Sequence, residues 1–299
     1  MSAAAFLTPA LTELSGRLGK ELKRVDRASD DDEAVHDLRV ALRRLRSILK
    51  PARGIYGKFH TDAVRAALKE IADATGDLRD EEVLHQTIAD LPPDPASQAA
   101  REAWLKQRQG REDELRKRLL DLLRNGHGAR AHTMLDALLR LPVDPAGDRP
   151  LERFAARVVE RARHAIKRQG TVALNDTAAL HEQRILYKRL RYAAESFAPA
   201  LPPTLAALAK VAERFQKRLG EVHDLDVALA IVADDPALDA PTRDALTAAL
   251  HEARRRSVER YATERDEARN APGGPTSVPP TSARNRHSNP PPSSGPSKG

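Results

Sequence analysis

Cysteine is absent from the 299 residues, which removes disulfides, thiolate metal sites and cysteine nucleophiles together and fits a reducing compartment. Aromatic residues make up only 3%, few for a protein that would stack successive bases of a single strand. Runs in which Val, Ile or Tyr alternate with polar residues are scarce, so the composition favours helices over sheets. No stretch of about 18 apolar residues occurs, and the opening MSAAAFLTPALTELSG lacks the basic n-region and apolar h-region of a secretory signal. We therefore expect an all-α, cytoplasmic protein with no membrane partner.

What the chain does have is charge. Lys and Arg number 50 against 43 Asp and Glu, a formal net charge of +7. Over this length such a balance is mild, so the distribution of the cations has to decide what they do. Proline-rich breaks at LPPDP (91 to 95), LPVDPAGDRP (141 to 150), APALPP (198 to 203) and DDPALDAP (234 to 241) punctuate helical patterns, about five helices per half. From Ala271 onward the sequence is dense in Pro, Ser and Gly with little to bury, which predicts a disordered tail over 271–299.

The chain contains a version of itself. HDLRVALRRLR from His36 returns as HEQRILYKRLR from His181, and GDLRDEEV from Gly76 returns as GEVHDLDV from Gly220, in nearly the same register. The period is far longer than that of a solenoid repeat, so the pattern predicts a duplicated helical subdomain with pseudo-twofold symmetry. The two copies of the motif helix would then either face each other or flank a shared groove, and the sequence does not choose between these.

Within VHDLRVALRRLRSILK, residues 35 to 50, the cationic positions His36, Arg39, Arg43, Arg46 and Lys50 step by three and four and so share one helical face. The apolar seam Val35, Leu38, Leu42, Leu45 and Leu49 lies one residue away, which places the cations at the border of the core. His181, Arg184, Lys188 and Arg191 line up in the same way beside Leu180, Tyr187 and Leu190. Like charges at this spacing repel by a few tenths of a kcal/mol per pair, and the stripe contains no acid to relieve them. The acids Asp30, Asp31, Asp32 and Glu33 suit a helix N-terminus that Ser29 could cap. The histidine at the head of each stripe, His36 or His181, should have a pKa that the neighbouring cations depress when the site is empty and that a bound polyanion raises.

Catalytic patterns are scarce. Asp77, Asp80, Glu81 and Glu82 with Glu221, Asp224 and Asp226 could hold a hard cation, but they read more simply as helix-start carboxylates following glycine turns at Gly76 and Gly220. His36-Asp37 and His223-Asp224 lack the further ligands of a metal phosphohydrolase, and Ile185 stands where a zinc-protease motif begun at His181-Glu182 would need histidine. No glycine-rich phosphate loop or dinucleotide turn is present. A phosphate backbone of any kind fits the stripe, including RNA, DNA or a nucleotide phosphate, although the first stripe lacks the Asn or Gln that reads adenine.

The two motifs in this order and spacing resemble the CHAD family, the conserved-histidine α-helical domains, over nearly all of residues 6 to 269. The resemblance implies two four-helix bundles forming one domain, with repeats over about 6–145 and 146–269. It also implies a basic groove that binds inorganic polyphosphate, and association with polyphosphate granules and the proteins on them. Carried over by position, His36, Arg39, Arg43, Arg44 and Arg46 match the first motif, with Lys50 continuing its stripe, and His181, Arg184, Lys188, Arg189, Arg191 and Tyr192 match the second. Lys217 and Arg218 are further groove candidates, whereas the first half has Ala74 and Thr75 near the corresponding place. Many members are fused to a triphosphate-tunnel catalytic domain. We find no such sequence here, and so expect binding without catalysis, cofactor or resident metal.

Overall fold

Amphipathic stretches between the proline-rich breaks form long helices, and their apolar seams meet in three cores. The structure, a computed structural model, describes residues 1–27, 31–94 and 97–270, without the side chain of Asn270. The expected tail over 271–299, together with Ser29 and Asp30, lies outside the described residues. The helices are α1 (Ala3–Arg27), α2 (Asp32–Ala52), α3 (Lys58–Ala89), α4 (Gln98–Arg124), α5 (His127–Arg140), α6 (Leu151–Gln169), α7 (Thr177–Ser196), the single turn α8 (Pro203–Ala206), α9 (Leu208–Asp234) and α10 (Ala240–Asn270). A short 3-10 turn, Ala198–Ala200, precedes α8. Among the described residues no strand forms beyond one isolated bridge between Ser2 and Pro150. Helices α3, α5, α7 and α9 end at or just before the four breaks read from sequence.

The first core gathers α1, α2, α3 and α5 with part of α4, and the second gathers α6, α7, α9 and α10. The α2 seam is buried as its spacing predicts: Leu38, Leu45 and Leu49 have no exposed surface. In α7, Leu180, Tyr187 and Leu190 are likewise buried. Helices α2 and α3 precede α4 in one half as α7 and α9 precede α10 in the other, and α2 packs along α7.

Gly76 and Gly220 do not make turns. Gly76 lies inside α3 and Gly220 inside α9, and both helices continue for several turns beyond them. Buried Leu78, Leu84 and Ile88 follow Gly76, and Val222, Leu225, Ala228 and Val232 follow Gly220. A glycine inside a helix costs about 1 kcal/mol against alanine, while burying one leucine contributes roughly 1.5–3 kcal/mol, so the apolar face carries the helix through.

A third core joins the halves where the far ends of α3 and α9 meet α4 and α10. Arg108 of α4 lies against this core, over the Trp104 ring. It donates to both carboxylate oxygens of Glu81, at 2.6 and 2.7 Å, and to Asp235 at 2.7 Å. Trp104 donates to the same Asp235 oxygen at 3.0 Å, and its ring faces the Arg108 guanidinium at 5.4 Å. Glu81 retains 5% of its side-chain exposure and Arg108 16%. Removing one partner of a buried ion cluster leaves an uncompensated charge, so Arg108→Ala should lose roughly 3–5 kcal/mol of stability, measured by urea denaturation.

Candidate functional site: a basic groove between two helices

Both motif helices start the same way. The Asp31 carboxylate accepts from the Ala34 N–H at 3.0 Å, and the Asp176 carboxylate accepts from the Ala179 N–H at 2.9 Å. The cap of α2 is therefore Asp31. Asp31 also pairs with Arg24 of α1 at 2.9 Å. The Ala34 hydrogen bond and then Arg24 hold its carboxyl below the usual range. Asp37 joins the same arginine at 2.9 Å, so the acids beside the first motif serve the packing of α2 on α1.

The stripes flank a shared groove. A cavity of about 800 Å³ lies between α2, α3, α6 and α7, lined by Arg39, Arg43, Arg46 and Lys50 of α2 and by Lys188, Arg189 and Tyr192 of α7. Arg53 beyond α2, Arg65 of α3 and Arg161 of α6 complete its cationic wall. Among the described residues no carboxylate lies within 4.0 Å of Arg39, Arg43, Arg46, Lys50, Arg184, Lys188 or Arg189, whereas the outer surface carries many ion pairs. The Nε atoms of Arg43 and Arg184 are buried without a hydrogen-bond partner among the described residues. Arg39 donates to the Thr75 carbonyl of α3. Arg43 lies over the Tyr192 ring at 5.5 Å, a contact that crosses from one half to the other.

Crowding of like charge shows in the titration of these groups. Burial, followed by Arg184, Arg43, Arg39 and Arg46, lowers the Lys188 ammonium to about 8. Burial also lowers Arg39, Arg46 and Lys50, with further depression of Lys50 by Arg189, Arg65 and Arg53. His223 of α9 faces His181 of α7, with their Nδ1 atoms 3.1 Å apart and ring centres 4.5 Å apart. Burial, then Arg184, His181 and Lys188, lowers His223 to about 4. The histidine whose pKa is depressed is therefore His223 of α9, which heads neither stripe. Asp224 is raised, first by desolvation, which Arg184 opposes.

Other sequence candidates lie outside the cavity. His36 and Arg44 are exposed on α2 and do not line it. Arg191 is bound to Glu195 at 2.6 Å and to Glu213 of α9 at 2.8 Å. Arg218 turns towards α10, where it meets Glu264 at 2.6 Å, and it also meets Glu221 at 3.1 Å. Its neighbour Lys217 is exposed and does not line the cavity. Arg184 sits deeper, close enough to Gly220 that a Cβ there would stand 3.8 Å from its Nε.

Arg53, Arg65 and Arg161 were not among the sequence candidates. Arg53 extends the step of threes and fours one place beyond Lys50, past Pro51, which lies inside α2. Arg65 and Arg161 belong to no motif, and only the packing of α3 and α6 brings them in. Asp62 sits between Arg53 and Arg65, 3.0 Å from the latter. Burial alone would raise its carboxyl, but the two arginines outweigh it and hold the carboxyl low.

Most acids once considered for a metal have partners instead. Glu81 holds Arg108, Glu82 holds Arg79 at 2.9 Å, and Asp226 holds Arg254. Among the described residues no group of three or more His, Asp or Glu side chains is placed to hold a metal ion.

Because Lys188 titrates near 8 in the folded state, below its ordinary value near 10.4, the folded protein binds fewer protons than the unfolded chain between these two values, and stability rises with pH across that window. Lys188→Met should therefore melt higher than the wild type at pH 7, and its advantage should shrink as the pH rises through 8 to 10. Thermal denaturation at several pH values measures both effects.

The CHAD domain family model matches residues 9–233, three quarters of the chain, including both motif helices and the α3 and α9 segments. A search of curated proteins returns no match. Solved structures share the fold, among them two CHAD-like chains. PptA from Streptomyces chartreusis superposes with a TM-score of 0.68 at 19% identity, covering 89% of this chain and 99% of that one. The CHAD domain from the plant Ricinus communis superposes at 0.62 with 22% identity, covering 87% of each. Among the described residues no helix is long and apolar enough to cross a membrane. With the family's motifs on α2, α3, α7 and α9 and its fold reproduced over most of the length, the chain belongs to the CHAD domain family.

Proposed function

We propose that the groove between α2 and α7 binds inorganic polyphosphate without catalysis, and that the protein thereby attaches to or organises polyphosphate granules. One observation carries this reading: cations from four helices line a single cavity, and seven cations of the two motif helices have no carboxylate within 4.0 Å among the described residues. Polyphosphate is a flexible chain with about one charge per phosphate and no bases, so it calls for closely spaced cations and nothing to stack on. Tyr192 is the aromatic residue of the cavity wall, and its ring already receives Arg43. Arginine grips phosphate oxygens through a planar fork, and Lys188 supplies a compact point charge.

The open cations favour one direction of the groove. Lys50 and Arg189, with no carboxylate within 4.0 Å among the described residues, extend it at the first-half end, while Arg53 and Arg65 there share the single carboxylate of Asp62. At the position matching Arg46, the second half has Arg191, whose charge Glu195 and Glu213 already occupy. The bound chain accordingly runs from Lys188 past Arg43 and Arg46 towards Lys50 and Arg53. One domain over residues 6 to 269, built from two repeats, supports both sides of this path.

Single exposed ion pairs contribute roughly 0.2–1 kcal/mol each, so affinity has to come from many contacts with release of counterions. Neutralising about eight phosphates gives a log-log salt slope near roughly −6. We expect long-chain polyphosphate to bind more tightly than single-stranded RNA or duplex DNA of equal charge at physiological salt, with that slope. Replacing Arg39, Arg43, Arg184 and Lys188 by Ala should abolish binding and leave the helical circular dichroism intact. Equal binding of nucleic acids, or a curve indifferent to salt, would rule the proposal out.

A further inference from the structure

Unlike the arginines of the groove, Lys188 carries a charge that chemistry on its own nitrogen can remove, and unlike Lys50, the other lysine of the wall, it is half-buried. It lies on α7, lines the cavity, and has neither a hydrogen bond nor an ion pair among the described residues. The charges around it are Arg39, Arg43 and Arg46 of α2, Arg184 of its own helix, and His223 of α9. Arg65 of α3 and Arg161 of α6 line the same cavity. Guanidinium groups on several sides are suited to hold a small phosphate ester or anhydride directly against the amine.

We infer that Lys188 is a site of acylation by small acyl phosphates, which the arginines of the groove recruit by their phosphate group. The inference rests on the groove being a phosphate-binding site. In the step, the lone pair of the neutral amine attacks the acyl carbon and the bond from that carbon to the bridging oxygen breaks. Inorganic phosphate leaves with the electron pair, and the nitrogen gives up a proton to solvent, leaving an amide. The arginines that hold the ligand also stabilise the charge that grows on the departing phosphate.

Availability of the free amine strengthens the case. Near pH 8 about half of Lys188 is neutral, whereas an amine with an ordinary pKa near 10.4 is neutral to roughly 0.4%, about a hundredfold less. The amide has no charge, so modification lowers the density of cations at the centre of the groove. A bound polyphosphate chain covers the amine, and acylation in turn weakens the chain's hold, so the two should exclude each other.

Acetyl phosphate is the probe, with acetylation rates read by mass spectrometry on the full chain at pH 8. Lys188 should react at least tenfold faster than exposed Lys58 and ion-paired Lys69. Its rate should reach half of its maximum near pH 8, and excess long-chain polyphosphate should suppress it. Arg43→Ala with Arg46→Ala should bring the rate close to that of Lys58. Acetic anhydride, which has no phosphate, should discriminate at least fivefold less between Lys188 and Lys58. Equal rates at Lys188 and Lys58, or the same discrimination with both reagents, would overturn acylation by recruitment while leaving the polyphosphate titration to stand or fall by itself. Preferred reaction at Lys188 with no protection by polyphosphate would support the acylation site and count against polyphosphate as the ligand of the groove.

Discussion

Repulsion between like charges held close together by an apolar framework is the constraint that organises this molecule. Arg39, Arg43, Arg46, Arg184 and Lys188 meet because the seams beneath them, Leu38, Leu42 and Leu45 on α2 and Leu186 and Leu190 on α7, are buried in packed cores. Each seam residue contributes roughly 1.5–3 kcal/mol, against a few tenths for each repelling neighbour along a helix. Burial wins by a wide margin, and desolvation, with the repulsion second to it at Lys188, persists as depressed proton affinity. An anion that enters the groove relieves that repulsion, so the same arrangement that weakens the empty fold strengthens the loaded one.

Acids are abundant in the chain but, Asp62 apart, none of the described ones pairs with a cation that lines the groove. Asp31 and Asp37 are tied to Arg24, Glu81 to Arg108, Glu221 and Glu264 to Arg218, and Glu195 and Glu213 to Arg191. These pairs position helices and neutralise one end of the second stripe. Asp62, shared by Arg53 and Arg65, is the carboxylate stationed at the opposite mouth. A pattern that looks twofold in sequence therefore yields a groove with distinct ends.

Periodicity made much of this legible. The all-α class, the four proline-rich breaks, the seams of both motif helices and the cationic faces beside them all follow from local spacing, because each depends on residues within one helix. Where the helices go depends on contacts across the chain, and there the sequence was less informative. Arg218 looked available until α10 supplied Glu264 from 46 residues away. Arg65 and Arg161 have no motif, and Arg53 follows the last residue of the motif helix. Gly76 and Gly220 read as turns because glycine usually interrupts helices, but the buried face on either side overrode the local preference. The choice between facing helices and a shared groove was likewise a question of packing, answered by how α2 and α7 lie together.

The sole tryptophan has a consequence of its own. Trp104 is 3% exposed and sits in the junction of α3, α4, α9 and α10, bonded to Asp235 and facing Arg108, and it is not part of the groove wall. Tryptophan emission therefore observes this junction and not direct quenching by a ligand in the groove. A change in emission on ligand addition would mean that the two halves had shifted about their common joint, whereas silence with tight binding would describe a cleft that accepts its guest as a rigid body.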